Sequence, residues 1–134
     1  MKVSASRVDM ENGRLEQAIV KRYHETVSTV TISSGTATFS IVNGNVFNLT
    51  HDANITTVNV TNPASSGTET SITIIRTKDN SATTRTIVWP AAFIWPGGTE
   101  PTLTQTANAV DIITAFTTNG GTSYFAFSVG LNMS

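Results

Sequence analysis

Val110-Asp111-Ile112-Ile113-Thr114-Ala115-Phe116-Thr117-Thr118-Asn119-Gly120-Gly121-Thr122-Ser123-Tyr124-Phe125-Ala126-Phe127-Ser128-Val129 is a pair of β-favouring runs about a turn. Val, Ile, Thr, Tyr and Phe suit a pleated, half-buried surface. Asn119-Gly120-Gly121 supplies residues that tolerate positive φ, so the stretch predicts a hairpin with strands over Val110 to Thr117 and Ser123 to Val129. The same period-two pattern extends back to Thr26, broken by Gly, Asn, Pro and Ser. It predicts further strands near Val27 to Ile32, Thr36 to Val42, Val46 to Thr50, Thr56 to Asn59, Thr70 to Arg76 and Thr83 to Val88. Asn43-Gly44 predicts a second hairpin, so that strands adjacent in sequence lie adjacent in space. About eight short strands imply an all-β fold, an antiparallel β-sandwich or jelly roll.

Charge separates the chain into two parts. Lys2, Arg7, Asp9, Glu11, Arg14, Glu16, Lys21, Arg22 and Glu25 all precede Thr26, whereas the longer remainder holds Asp52, Glu69, Arg76, Lys78, Asp79, Arg85, Glu100 and Asp111. Residues 1–25 are therefore read as an attachment segment and residues 26–134 as the β-domain. Leu15, Ala18, Ile19, Arg22 and Tyr23 recur at helical spacing after Asn12-Gly13, which is consistent with a short amphipathic helix. The stripe is narrow, and an extended arm that orders on a partner is the alternative. Arg7, Arg14, Leu15, Ile19, Arg22 and Tyr23 are the expected attachment residues.

At 134 residues the size prior gives one packed unit, with formal net charge −1 and 13% charged residues. Neither nucleic acid nor membrane insertion is expected of a chain without a basic footprint or a long apolar run. No secretory pattern is seen at Met1 to Arg7, which predicts synthesis in the cytoplasm of the producing cell. Cysteine is absent, so disulfides cannot brace the fold, and packing or association must. Strand faces rich in Thr are expected to be hydroxylated rather than charged, which leaves sheet edges poorly guarded and in need of a neighbouring subunit. The Asn-Leu-Thr, Asn-Ile-Thr and Asn-Val-Thr triplets starting at Asn48, Asn54 and Asn59 are read as chance in so Asn- and Thr-rich a chain.

Catalytic chemistry is weakly represented. His24 and His51 stand in no recognisable spacing with a nucleophile or carboxylate and are read as surface or interface residues. His51-Asp52 with Asn54 is a minimal metal-ligand set, better explained as an inter-strand turn. No cofactor or metal is expected. Asp111 interrupts an apolar strand on the face shared by Ala109 and Ile113, so it requires a hydrogen-bonding or cationic partner, and Arg76 or Arg85 is the expected one. Lys78-Asp79-Asn80-Ser81 is expected to be a charged turn in water. The block Trp89 to Leu103 contains both tryptophans and three of the four prolines. Trp89, Phe93, Trp95 and Pro96 are expected either to plug an open end of the β-domain or a subunit seam, or to form an exposed platform for a sugar or a protein.

A set of ordered fragments carries a resemblance. They are Gly44-Asn45-Val46-Phe47-Asn48-Leu49-Thr50, Asn62-Pro63 with Ser66-Gly67-Thr68, Arg85-Thr86-Ile87-Val88-Trp89-Pro90, Trp95-Pro96-Gly97-Gly98, Pro101-Thr102-Leu103-Thr104, Asn108-Ala109-Val110-Asp111-Ile112, and Phe116-Thr117-Thr118 with Gly120-Gly121-Thr122. From about Tyr23 to its end, the chain resembles a β-domain that recurs in bacteriophage structural proteins, often as the carboxy-terminal part of tail-fibre and other virion chains. His51 and Ala126 depart from that pattern, where apolar or small residues and Gly respectively are common.

The resemblance implies a non-enzymatic virion structural protein. The first expectation is a small tail-fibre or tail-appendage subunit, a homotrimer attached by residues 1–25 to other virion proteins, with host-surface glycan as a further partner of its loops. The alternative is a capsid decoration or cement protein whose arm lies across the shell. A glycan-binding module or depolymerase ranks lower, because the carboxylates are scattered rather than paired.

Overall fold

The structure, a computed structural model, describes Gln17, Ile19 and residues 21–134. The expected helix or arm, and with it Arg7, Arg14 and Leu15, lies outside the described residues apart from these few positions.

Among the described residues eight strands follow one another: β1 (Val27–Val30), β2 (Thr36–Ser40), β3 (Val46–His51), β4 (Thr57–Thr61), β5 (Thr70–Lys78), β6 (Phe93–Ile94), β7 (Val110–Thr117) and β8 (Tyr124–Met133). They form one sheet of six in the order β1-β3-β5-β7-β8-β6 and a second sheet of two, β2-β4. The β-rich class agrees with the sequence pattern, but the uniformly antiparallel order does not. β1–β3, β3–β5, β2–β4 and β6–β8 are parallel, and only β5–β7 and β7–β8 are antiparallel. Period-two alternation reports that one face of a strand is buried and carries no information on strand direction.

The crossovers that parallel pairing requires are supplied by the small sheet: β2 intervenes between β1 and β3, and β4 between β3 and β5. Asn43-Gly44 is consequently not a hairpin. Ile41–Asn43 is a single 3-10 turn, and Gly44, at φ 142°, redirects the chain into the large sheet. Gly44 also passes beneath the carbonyl of Thr26, where a Cβ would lie 2.3 Å from the oxygen. Asn119-Gly120-Gly121 does close an antiparallel hairpin, β7–β8, as its sequence predicts. There Thr117 Oγ1 accepts from Gly121 N at 3.1 Å, and Asn119 Oδ1 accepts from Ser123 N at 3.0 Å.

Thr83 to Val88 is extended but is not a strand, apart from one isolated bridge between Ile55 and Ile87. Val88 N donates to the Ile55 carbonyl, but two other amides are taken by side chains rather than by a ladder. Arg85 N donates to Gln105 Oε1 at 2.8 Å and Thr86 N donates to Asn54 Oδ1 at 3.1 Å. The eighth strand is instead the two-residue β6, which was not expected, and β8 runs to Met133 rather than stopping at Val129.

The core lies on one face of the large sheet. Phe47, Leu49, Ile72, Ile74, Ile113, Ala115 and Ala126 point inward and are almost wholly buried. Ala37, Phe39 and Val58 of the small sheet join them, and Phe39 meets Phe47 edge-to-face with ring centroids 5.3 Å apart. Over the β6–β8 side the cover is the segment from Trp89 to Leu103.

Gly44→Ala is expected to cost about 2 kcal/mol or more, because the added methyl meets backbone and the φ is unfavourable to an L residue. Thermal unfolding of the purified variant checks this; an unchanged midpoint would show that the turn has room to move.

Candidate functional site

Three regions hold the residues singled out by sequence. The first is the aromatic block. Trp89, Phe93 and Trp95 are buried, while Pro96 is exposed at the start of a short turn, Pro96–Gly98. Trp89 stacks on Phe93 with centroids 5.5 Å apart and meets Trp95 edge-to-face at 5.2 Å, and Phe93 lies 5.3 Å from Tyr124 of β8. These rings close the core over β8, and the tryptophans do not form an exposed platform. A groove of about 330 Å³ runs alongside, lined in part by Arg85, Trp89, Glu100, Leu103 and Gln105. Several of its polar groups are already engaged: Gln105 bonds the backbone of Arg85 in both directions, and the Arg85 guanidinium holds Asp79.

The second region is a buried polar network at the inner end of β3, β5 and β7. Asp111 does face inward with Ile113, and its partner is Arg76, directly opposite it in the β5–β7 register. Arg76 Nη1 donates to Asp111 Oδ2 at 2.9 Å, with both side chains essentially inaccessible to water. The same carboxylate accepts Thr104 N at 2.8 Å and Asn132 N at 3.0 Å. Arg76 also donates from Nε to His51 Nδ1 at 3.0 Å and from Nη1 to the Thr104 carbonyl at 2.6 Å.

His51 is therefore neither a surface residue nor a metal ligand here. Its Nδ1 is occupied as an acceptor, which fixes the proton on Nε2, and that nitrogen donates to the Thr86 carbonyl at 3.2 Å. Burial, and then the charge of Arg76, lower its pKa from the ordinary 6.5 to about 4, against a smaller upward pull from the Thr86 carbonyl. Burial also lowers the Arg76 pKa, opposed by Asp111.

Lys78-Asp79-Asn80-Ser81 is likewise not a solvated charged turn. Lys78 is fully buried and pairs with Asp79, and its Nζ also donates to the Ser81 carbonyl at 2.9 Å. Asp79 accepts Arg85 Nη2 at 2.5 Å. The bonds from Arg85 and Lys78 hold its carboxyl well below the usual range.

The third region is the outward sheet face, expected to be hydroxylated throughout, which holds for only part of it. The outward face of the large sheet is hydroxylated on β3 and β5, as Thr50, Ser71, Thr73 and Thr77 show, but apolar on β7, β8 and β6. Cross-strand register places Phe125 between Ile94 and Phe116, and Phe127 beside Thr114. Ile94, Phe125, Phe127 and Met133 are each more than two-fifths exposed. With the half-buried Ile75, Ile112 and Phe116 they form one apolar patch on this face. No Lys, Arg, Asp or Glu occupies an outward position on β3, β5, β6, β7 or β8. Beyond Phe125, β8 has no strand on its outer side among the described residues, since β6 pairs with Tyr124 and Phe125. The signal in the sequence was the alternation of Phe125, Phe127 and Val129 with small or polar residues, read as strand formation without assigning which side met water.

Of the expected attachment residues within the described chain, Ile19, Arg22 and Tyr23 are all exposed. Among the described residues no group of three or more His, Asp or Glu is placed to hold a metal ion, and no helix is long and apolar enough to cross a membrane. Comparison with protein-family models, with curated proteins and with solved structures returned no match.

Two predictions follow the network. Asp111→Asn should destabilise the domain by about 3–5 kcal/mol, because Arg76 is left buried without its counter-charge, and the paired Arg76→Met, Asp111→Leu variant should not restore wild-type stability, because the Thr104 and Asn132 amides and His51 Nδ1 lose their partners. Urea unfolding of the three proteins measures both. His51 is neutral when folded and its folded pKa lies below the unfolded value, so protons favour the unfolded chain. Stability should fall as pH drops from about 6.5 to about 4 and its His51 contribution should then level off. Unfolding midpoints against pH check this, and His51→Gln should flatten that window.

Proposed function

We propose that the chain is a non-enzymatic structural subunit of a bacteriophage virion, a small tail-fibre or tail-appendage protein. In this reading residues 1–25 attach to other virion proteins and the β-domain projects from them as a homotrimer. The small sheet laid over the inner face of the large one is read as an incomplete β-sandwich. The observation that carries the reading is the charge-free apolar sheet face, a surface suited to permanent burial against another protein and ill suited to polar catalysis. The engagement of His51, Arg76, Lys78, Asp79 and Asp111 in bonds that hold strands and loops together supports it. The resemblance of its ordered fragments to phage β-domains supplies the virion context of the reading.

Immunogold electron microscopy of intact particles, with antibody against residues 26–134, tests the assignment. Gold on the tail or its fibres is the expected result. Gold over the head would make this a capsid decoration protein, and particles without gold would remove it from the virion.

A further inference from the structure

We infer that the outward face of β7, β8 and β6 is the seam at which one copy of this chain meets another. The inference rests on the structural-subunit reading above and adds to it the surface and its occupant.

Charge selects the occupant. A face with no ionisable side chain offers nothing for an acidic or basic partner to pair with, and burying a partner's charge against Phe125 and Phe127 would leave that charge desolvated. The chain's own first 25 residues are excluded on the same ground, since nine of its seventeen charged residues lie there. A matching surface must be apolar and weakly polar at its margin. The face itself meets that description, with Thr73, Thr114 and Ser71 beside its aromatic and aliphatic centre.

Composition agrees with this occupant: the patch is apolar at its centre and hydroxylated at its border. Its make-up, aromatic and Met residues at the centre with charge excluded, is that of an interface core. The strand edge, by contrast, is poorly prepared for pairing. Register shifts interrupt the β7–β8 ladder between Val110 and Ile113, and one of them turns Asn132 N toward Asp111. Bulges of this kind twist an edge away from a straight neighbour. Contact through side chains of the face, rather than addition of a strand at the edge, is the mode the geometry favours.

Light scattering on the full chain and on Phe127→Asp tests the seam. The wild-type protein should have the mass of an oligomer, and the variant, whose substituted side chain is already exposed, the mass of a single chain with unchanged circular dichroism. A monomeric wild type, or a variant of unaltered mass, overturns the inference. Should Phe127→Asp fail to fold, Thr114→Cys provides a second reading, because the chain has no other thiol. In the concentrated protein that thiol should react with maleimide about tenfold more slowly than in the dilute protein, as burial blocks access. Equal rates at both concentrations would rule the seam out. Virion labelling is independent of both measurements, so a tail-located protein whose face stays open would remove the seam and leave the functional reading standing.

Discussion

The bond between Arg76 and Asp111 is the constraint on which the large sheet depends. Both groups lie out of water on the inner face, directly opposite one another across β5 and β7. An ion pair in such a place is not a free gain in stability, since two charges have been desolvated to make it. Its effect is on register. Sliding β7 by one residue would turn Asp111 to the outer face and leave Arg76 facing apolar side chains, so every wrong alignment buries an unpaired charge. Through its other bonds the pair also fixes β3 by His51, the Thr104 loop by its amide and carbonyl, and the irregular end of β8 by Asn132.

Around this network the two faces of the sheet have opposite characters. The inner face combines an aliphatic core with a hydrogen-bonded polar cluster, in which Arg76 Nη2 alone lacks a partner among the described residues, and is completed by the aromatic rings of Trp89, Phe93 and Trp95. On the outer face, hydroxyl groups give way across the sheet to Phe116, Phe125 and Phe127. The domain has its chemistry on the inside and its uncommitted apolar surface on the outside. The proposed seam is the complement of a core in which His51, Arg76, Lys78 and Asp111 hold strands and loops together.

Much of this was legible from local sequence. Alternation located most strands, Asn119-Gly120-Gly121 announced its hairpin, and an Asp inside an apolar run required a hydrogen-bonding or cationic partner, which is Arg76 rather than Arg85. Strand direction was not legible, because β1, β3 and β5 are joined through the small sheet and alternation is the same in parallel and antiparallel order. Thr83 to Val88 has strand composition, but Asn54 and Gln105, distant in sequence, take the amides a ladder would use. His51 and Lys78 look like solvated residues until their partners arrive from other segments. The aromatic block was recognisable as a distinctive feature, yet only the fold shows that its tryptophans lie inward while Phe125 and Phe127 lie outward. The outer face was obscured by the Thr content of the chain as a whole, which concealed a change of character between β5 and β8.

The lack of charge around Phe125 and Phe127 also determines how any contact made there responds to its surroundings. Ionic strength has no opposing charges to screen, so ordinary salt leaves such a contact intact, and strongly hydrated anions such as sulfate tighten it by being excluded from the surface. Cooling acts the other way, because the release of water from apolar rings is an entropic drive that fades at low temperature. A particle joined through this face would be indifferent to brine and loosened by cold.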